Sequence, residues 1–570
     1  MKDADRSDSS APTHGAGARV AAATLLAVGV LGALVHRFAY LVDDAFITFR
    51  FARSWAEWGV PVFNSFELTS AAPRVEGFSN LLWTAILAIG HAAGASLPSL
   101  VGPLQFIVAA ATVVSVARFA SAGLGLRPVA ASAAPVLLAT SAPFVAWTSG
   151  GMETSLFTLL LTAFTFAALS EVNASARSGL VLGALGAGVT LVRVEGLLWV
   201  LGALTAVGVG RALCSGRGLE ALTAERRRLA AAAVVIGAAV ALQLAWRGAV
   251  YGEVLPNTVA AKTGGGTDVL ARGARQVASW GLVTITPLVA LPLGLLALRH
   301  RERRARIAAA SFAVLAAGFI AYSVVVGGDW MPFFRFLAPA APALALVCAI
   351  GIDRLRPSVG AAVAVLLAAV QPLALFDVHL APESVRESLR FRAFRGGYAS
   401  EASRIATARK NADYFGRLGQ ALDVATEDGD ILAFGAIGSP GWYAPNLDFV
   451  DRNGLVTPAV AARDVEPGGG TSGHEKRVPH AWFLDSGSPA PNLLFATWRD
   501  GLLDPSDPAA RAAAKAAVRR TGMTALPEER ALFGRTTLRI EPIREGPAAG
   551  ITLLLLERSD PATARRFWGE

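Results

Sequence analysis

Residues 39–55 read AYLVDDAFITFRFARSW and set two adjacent carboxylates, Asp43 and Asp44, directly behind a greasy segment. The apolar run before them, 21–42, matches the roughly 20 residues that a helix needs to cross the hydrocarbon core of a bilayer. It is long enough to stay in the membrane rather than be cleaved as a signal. Lys2, Arg6 and Arg19 precede it, so the positive-inside rule keeps the polar tail 1–19 in the cytoplasm and sends Asp43 and Asp44 to the far side.

The composition supports that reading. A chain of 570 residues with 53% hydrophobic and only 17% charged side chains is too apolar for a soluble enzyme and fits a polytopic α-helical membrane protein. Further apolar runs stand at 81–97, 101–122, 128–147, 156–169, 178–210, 229–246, 280–298, 307–326, 337–350 and 359–375. Arginine clusters at 211–228, at 299–306 and at Arg354 with Arg356 mark cytoplasmic loops. These loops account for much of the net charge of +9, so no nucleic-acid partner is implied.

With the N-terminus inside and the C-terminal part outside, the number of spans must be odd. Counting 178–210 as one helix gives about 11. The expected organisation is therefore a transmembrane domain over 20–376, with a first external loop at 43–79, and an extracytoplasmic domain over 377–570. The latter reads as α/β: a helix near 387–424, then strand-like runs at 430–434, 481–484 and 550–556. It contains neither of the two cysteines, Cys214 and Cys348, so its own core must hold it together.

In the first external loop Phe51, Trp55 and Trp58 fall on one helical face and Arg50, Arg53 and Glu57 on another, the pattern of an amphipathic helix at a membrane surface. Asp43 and Asp44 could serve merely as its N-terminal cap. Yet the motifs VFN (62–64), RVEGFSNLLW (74–83), GMET (151–154), LVRVEGLLW (191–199), LPNTVAAKTG (255–264) and GGDWMPFFRF (327–336) follow DDAFITFRFA in order. Together they resemble the GT-C superfamily of polyprenyl-phosphate-sugar-dependent glycosyltransferases. The likeness is greatest to the terminal arabinofuranosyltransferases of mycobacterial and corynebacterial cell walls. GAIGSPGWY (435–443) and VDRNGL (450–455) resemble that group's terminal domain only loosely.

The resemblance implies a donor of the decaprenyl-phosphate-arabinofuranose kind, bound among membrane lipids, and an envelope glycan as acceptor, of the arabinogalactan or lipoarabinomannan type. Its chemistry then names the residues it needs. Phosphate is a good leaving group, so what remains is to deprotonate the acceptor hydroxyl, stabilise an oxocarbenium-like centre and neutralise the phosphate. By family analogy one of Asp43 and Asp44 is the base. Asp44 is preferred, because on a helix it lies nearer the face of Thr48 and Phe51. A divalent cation (Mg²⁺, Mn²⁺ or Ca²⁺) held by Asp43 or Asp44 is compatible with hard oxygen ligands, but the spacing does not require one.

Arg50, Arg53, Arg335 and the rare Lys262 are candidates for the phosphate, and each has a bland alternative at lipid headgroups. Arg193 and Glu195, in an apolar run, form either an internal ion pair or part of the donor pocket, and Glu153 follows the same logic. Glu76, Asn257 and Asp329, from the shared motifs, are further donor-site candidates. Asp329 could equally be a plain turn residue between its glycines and proline. Asp451 and His474 are placed with the acceptor. A transporter or flippase of lipid-linked sugar would use Arg193 and Glu195 as its pathway, but no internal repeat is seen. A transferase for another sugar, such as mannose, and an inactive scaffold complete the alternatives.

Overall fold

The computed structural model describes residues 14–69, 72–170, 175–215, 225–262, 267–389, 399–465, 473–486, 489–521 and 527–569. The first 13 residues of the polar tail lie outside these. Six helices are long and apolar enough to cross a membrane: Gly15–Phe38, Leu97–Gly123, Gly196–Cys214, Arg226–Tyr251, Arg303–Val325 and Pro357–Phe376. A seventh is the pair Val269–Thr284 and Thr286–Leu298, bent by 81°. The bend sits at Ile285, a β-branched residue held at φ 58°, and a proline opens the helix after it.

Side-chain contacts sort the helix ends onto two faces of the bundle. On one face Asn80 donates to Glu153 (3.0 Å), Gln105 accepts from the Gly151 amide (3.0 Å), Trp147 donates to the Pro332 carbonyl (3.0 Å) and Phe38 packs edge-on against Phe376. On the other, Asp353 joins Arg127 (3.2 Å) to His300 (3.0 Å), while Arg211 and Arg228 donate to carbonyls of Ala168 and Ser170. The arginine-rich loops all gather on the second face.

Two expected spans change. Leu81–Ala92 is no crossing: Asn80 at its start also reaches Thr48 (3.3 Å) and His91 at its end meets Glu57 (3.1 Å), so it lies along the helix Asp43–Trp58. Twelve residues reach only about 18 Å, short of the roughly 30 Å core. Conversely, 178–210 is two helices, Ala176–Val192 and Gly196–Ser215. They turn at Arg193–Glu195, where a side chain on Gly196 would meet the Val189 carbonyl at 2.2 Å.

The C-terminal part carries a five-stranded sheet of β1 (Ile431–Phe434), β2 (Asp448–Asp451), β3 (Leu493–Asp500), β4 (Thr536–Ile543) and β5 (Ile551–Arg558). The order is β2-β1-β3-β5-β4, with the first three parallel and β5 antiparallel to both neighbours. The continuous apolar run of β5 reflects cover on both faces. Leu418 and Leu422 of the helix Glu401–Ala425 lie on one face and Ala514, Val518 and Trp568 on the other. The strand expected at 481–484 is instead a 3₁₀ turn, His480–Leu484, because its first amides donate to the Glu529 carboxylate rather than to a neighbouring strand. The helix expected from 387 is seen at Glu401–Ala425, and 390–398 lie outside the described residues.

One packing feature fixes the site. Ile47, Phe51, Phe63 and Phe78 of the first loop share a core with Phe434, Ile437 and Phe449 of the C-terminal sheet. The loop is welded to that domain rather than spread on a membrane surface.

Candidate functional site

Asp43 and Asp44 are neighbours with opposite fates. The carboxylate of Asp43 accepts from the amides of Ser439 (2.7 Å) and Gly438 (3.2 Å), which pins the start of its helix to the GAIGSPGWY loop. A side chain at Gly438 would meet the Asp43 carbonyl at 1.9 Å, so only glycine lets the two backbones come this close. Burial pushes the Asp43 carboxyl up to about 6, against the pull of the two amides. Its role is docking. We expect Asp43→Ala to lower stability by about 1–3 kcal/mol, the desolvation cost of the amides it orphans, read as a drop in melting temperature in detergent; an unchanged midpoint would refute the assignment.

Asp44 is half-buried and makes no hydrogen bond or ion pair with the described residues. Its charge is felt by Lys262 and Asp451. Lys262 ends the short helix Asn257–Lys262, is exposed, and also feels Arg335, Asp329 and Glu153. Desolvation by the surrounding protein lowers its ammonium pKa.

Opposite stands a paired set. Asp329 holds the Nε of Arg335 at 2.7 Å. The two terminal nitrogens of Arg335 have no acceptor among the described residues. Arg193 lies between Glu195 (3.0 Å) and Glu153 (3.5 Å), and Tyr322 donates to Glu195 (3.4 Å). Arg193 and Glu195 therefore form an internal ion pair.

Four expected donor contacts are corrected. Arg50 is 3% exposed and spends its guanidinium on the carbonyls of Phe63, Gly441, Ala444 and Leu447, with Asp448 at 3.8 Å. Arg53 donates to Trp442 and Gly441 and stacks on the Trp442 ring. Glu76 is buried in a bidentate pair with Arg247 at 2.8–3.1 Å. Asn257 donates to the carbonyls of Gly454 and Leu455. All four clamp the first loop, the helix bundle and the C-terminal domain together.

On the acceptor side, the Asp451 carboxylate takes the amides of Asn453 (2.8 Å) and Leu455 (2.6 Å), and burial pushes it up to about 7. His474 stands edge-on to Trp330 at 5.3 Å, in a segment that Lys476 ties to the Ala260 carbonyl and Glu475 to Arg272. Among the described residues no three His, Cys, Asp or Glu side chains gather as a metal site. A cation at Asp44 would have to draw further ligands from substrate.

Sequence reasoning missed Glu401 and Arg404. They hold Phe333 and Phe334, two buried phenylalanines at φ 49° and 54°, through the Phe333 amide and the carbonyls of Trp330 and Met331. Such left-handed backbone is strained for a bulky side chain and persists only when held from outside. Arg335 follows this stretch directly, its Nε held by Asp329. Their spacing, three residues apart behind a Ser400 cap, announced a helix start but not its target.

No protein-family model matches the chain, and no curated protein sequence is similar to it. Solved structures do align along almost its whole length. ArnT from Cupriavidus metallidurans in the apo state superposes over 93% of this chain and 97% of its own, with a TM-score of 0.50 at 12% identity. The same protein bound to undecaprenyl phosphate aligns over 96% and 98%, with a TM-score of 0.53 at 11% identity. The chain has the GT-C fold.

Proposed function

We propose that the chain is a membrane glycosyltransferase that moves a sugar from a polyprenyl phosphate to a hydroxyl of an envelope glycan, on the outer side of the cytoplasmic membrane. The observation that carries this reading is Asp44, a half-buried carboxylate with no protein partner among the described residues, whose charge is felt by Lys262, which in turn feels Arg335. Undecaprenyl phosphate in a structure of the same fold supports the donor class.

The bond between anomeric carbon and phosphate oxygen breaks, and the phosphate leaves with the electron pair. Lys262 and Arg335 receive its developing charge through charge-assisted hydrogen bonds. Asp44 takes the proton of the acceptor hydroxyl as its oxygen forms the new bond to the sugar. Glu153, Glu195 and Asp329 fix the orientation of Arg193 and Arg335. Arabinofuranose is our choice of sugar, on the resemblance of the first-loop motifs.

Transfer of radiolabelled arabinofuranose from a synthetic decaprenyl phosphate by membranes containing the chain tests the reading, with mannosyl donor as the comparison; no product with either donor overturns it. Lys262→Ala removes one charged contact worth about 1.5–3 kcal/mol. We expect the KM for donor to rise about ten- to hundredfold with the melting temperature unchanged. Sidedness is separately testable: a membrane-impermeant maleimide is expected to label Ser506→Cys in intact cells. Cys214, on the arginine-rich face, is expected to react only after permeabilisation.

A further inference from the structure

Over residues 377–570 the charges balance, 24 Lys and Arg against 25 Asp and Glu, yet they are not evenly spread. The helix Pro508–Arg520 carries Arg511, Lys515, Arg519 and Arg520 and no acidic residue, and the helix Pro561–Trp568 adds Arg565 and Arg566, again without an acid. Arg511, Lys515 and Arg519 lie four residues apart, so they form a row along one helix face with a step of about 6 Å. Lys515 donates to the Phe567 carbonyl and stands 4.1 Å from the Phe567 ring, while Arg519 lies 5.3 Å from the Trp568 ring. These contacts bring all six cations onto one pair of packed helices.

Stability does not call for this gathering. Like charges at i and i+4 repel, and an acid at one of the three row positions would stabilise the helix instead. Partial burial, and then the charges of Arg519 and Arg511, lower the Lys515 ammonium pKa. Arg511, Arg520, Arg565 and Arg566 are exposed and have no carboxylate partner among the described residues. The acids at the helix starts are committed to caps, Asp507 to the amides of Ala509 and Ala510, and Asp560 to those of Ala562 and Thr563. Helix dipoles favour cations in the last turns, which leaves Arg511 and Lys515 unexplained. The inside-positive rule does not apply either, because both helices belong to the part expected outside.

The setting selects the partner. Ala514, Val518 and Trp568 pack on the face of the sheet opposite the one that Ile47, Phe51 and Phe63 of the first loop cover, so the patch is turned away from that loop. None of the exposed large apolar side chains among the described residues lies on either helix, so the pair lacks the apolar face of a helix that lies in lipid. A row of cations is matched by a chain of anions, which makes several contacts per molecule where a single phosphate makes one. We propose that the helices Pro508–Arg520 and Pro561–Trp568 dock a linear anionic polymer of the envelope, its carboxylates or phosphodiesters lying along Arg511, Lys515 and Arg519 and on Arg565 and Arg566. The strip rests on the extracytoplasmic placement in the reading above and not on its chemistry. Labelling of Ser506→Cys tests that placement by itself.

The test measures binding to the full chain in phosphatidylcholine nanodiscs by biolayer interferometry, with oligogalacturonate as the carboxylate probe and poly(glycerol phosphate) as the phosphodiester probe. Wild type is expected to bind at least one of them, with affinity falling about tenfold or more between about 50 and 300 mM salt as exposed charges are screened. Changing Arg511, Arg565 and Arg566 together to Gln is expected to weaken binding by about tenfold or more at an unchanged melting temperature. Changing the same three to Lys keeps most of it. The charge-matched control, Lys410, Arg417 and Arg463 changed to Gln, stays within about twofold of wild type. Which probe binds tells carboxylate from phosphodiester. No binding of either probe by wild type, or an equal loss in both Gln variants, overturns the strip. Capture of the nanodiscs by phosphatidylglycerol vesicles with neither polymer bound overturns it too, and gives the surface to a membrane.

Discussion

Asp44→Asn is expected to lower sugar transfer by about 10²- to 10⁴-fold, the usual contribution of a positioned general base. The substitution is nearly isosteric and deprives no described protein group of a partner, since Asp44 has none. Stability should therefore stay within about 0.5 kcal/mol of wild type, as for changes away from structural contacts. Donor KM should also persist, because Lys262 and Arg335 remain. Asp43→Asn should show the opposite signature: the amides of Gly438 and Ser439 lose a charged acceptor, so the melting temperature falls. Transfer assays and thermal shift on the two variants side by side separate chemistry from docking. If both variants retain full transfer, neither aspartate is the base.

Arg50→Ala is expected to be the most destabilising single change, about 3–5 kcal/mol, the cost of stranding the partners of a buried charge. Four carbonyls and Asp448 would lose their donor in a site closed to water. Asp448 also holds the amide and hydroxyl of Ser65 at 2.7 Å, so the whole first loop loosens. Arg50→Lys should recover little, because an ammonium cannot span carbonyls from three segments as a planar fork does. The check is the yield and melting temperature of the purified protein, with limited proteolysis across 43–79. A variant that folds normally but binds donor poorly would restore Arg50 to the phosphate site.

Much of this architecture was legible in the chain because its signals are local. Apolar length and arginine asymmetry place the bundle, and the acidic pair marks the loop that packs against the C-terminal domain. What local patterns do not carry is partnership at long range. Arg50 and Arg53 look like phosphate forks in sequence, yet their acceptors lie about 390 residues away in the C-terminal domain. Glu76 finds Arg247 across 171 residues. Asp43 and Asp44 are indistinguishable in composition, and only the approach of Gly438 decides that one docks while the other stays open. Ala481–Leu484 alternates like a strand, but the Glu529 carboxylate claims its amides first.

The most direct measurement is a structure of the chain with a polyprenyl phosphate bound in nanodiscs. Base catalysis by Asp44 predicts phosphate density within hydrogen-bond distance of Lys262 and Arg335, with the Asp44 carboxylate open on the acceptor side of it. Phosphate density on the arginine-rich face around Arg127 and His300, or at Arg50 and Arg53 with their carbonyl contacts broken, would contradict it.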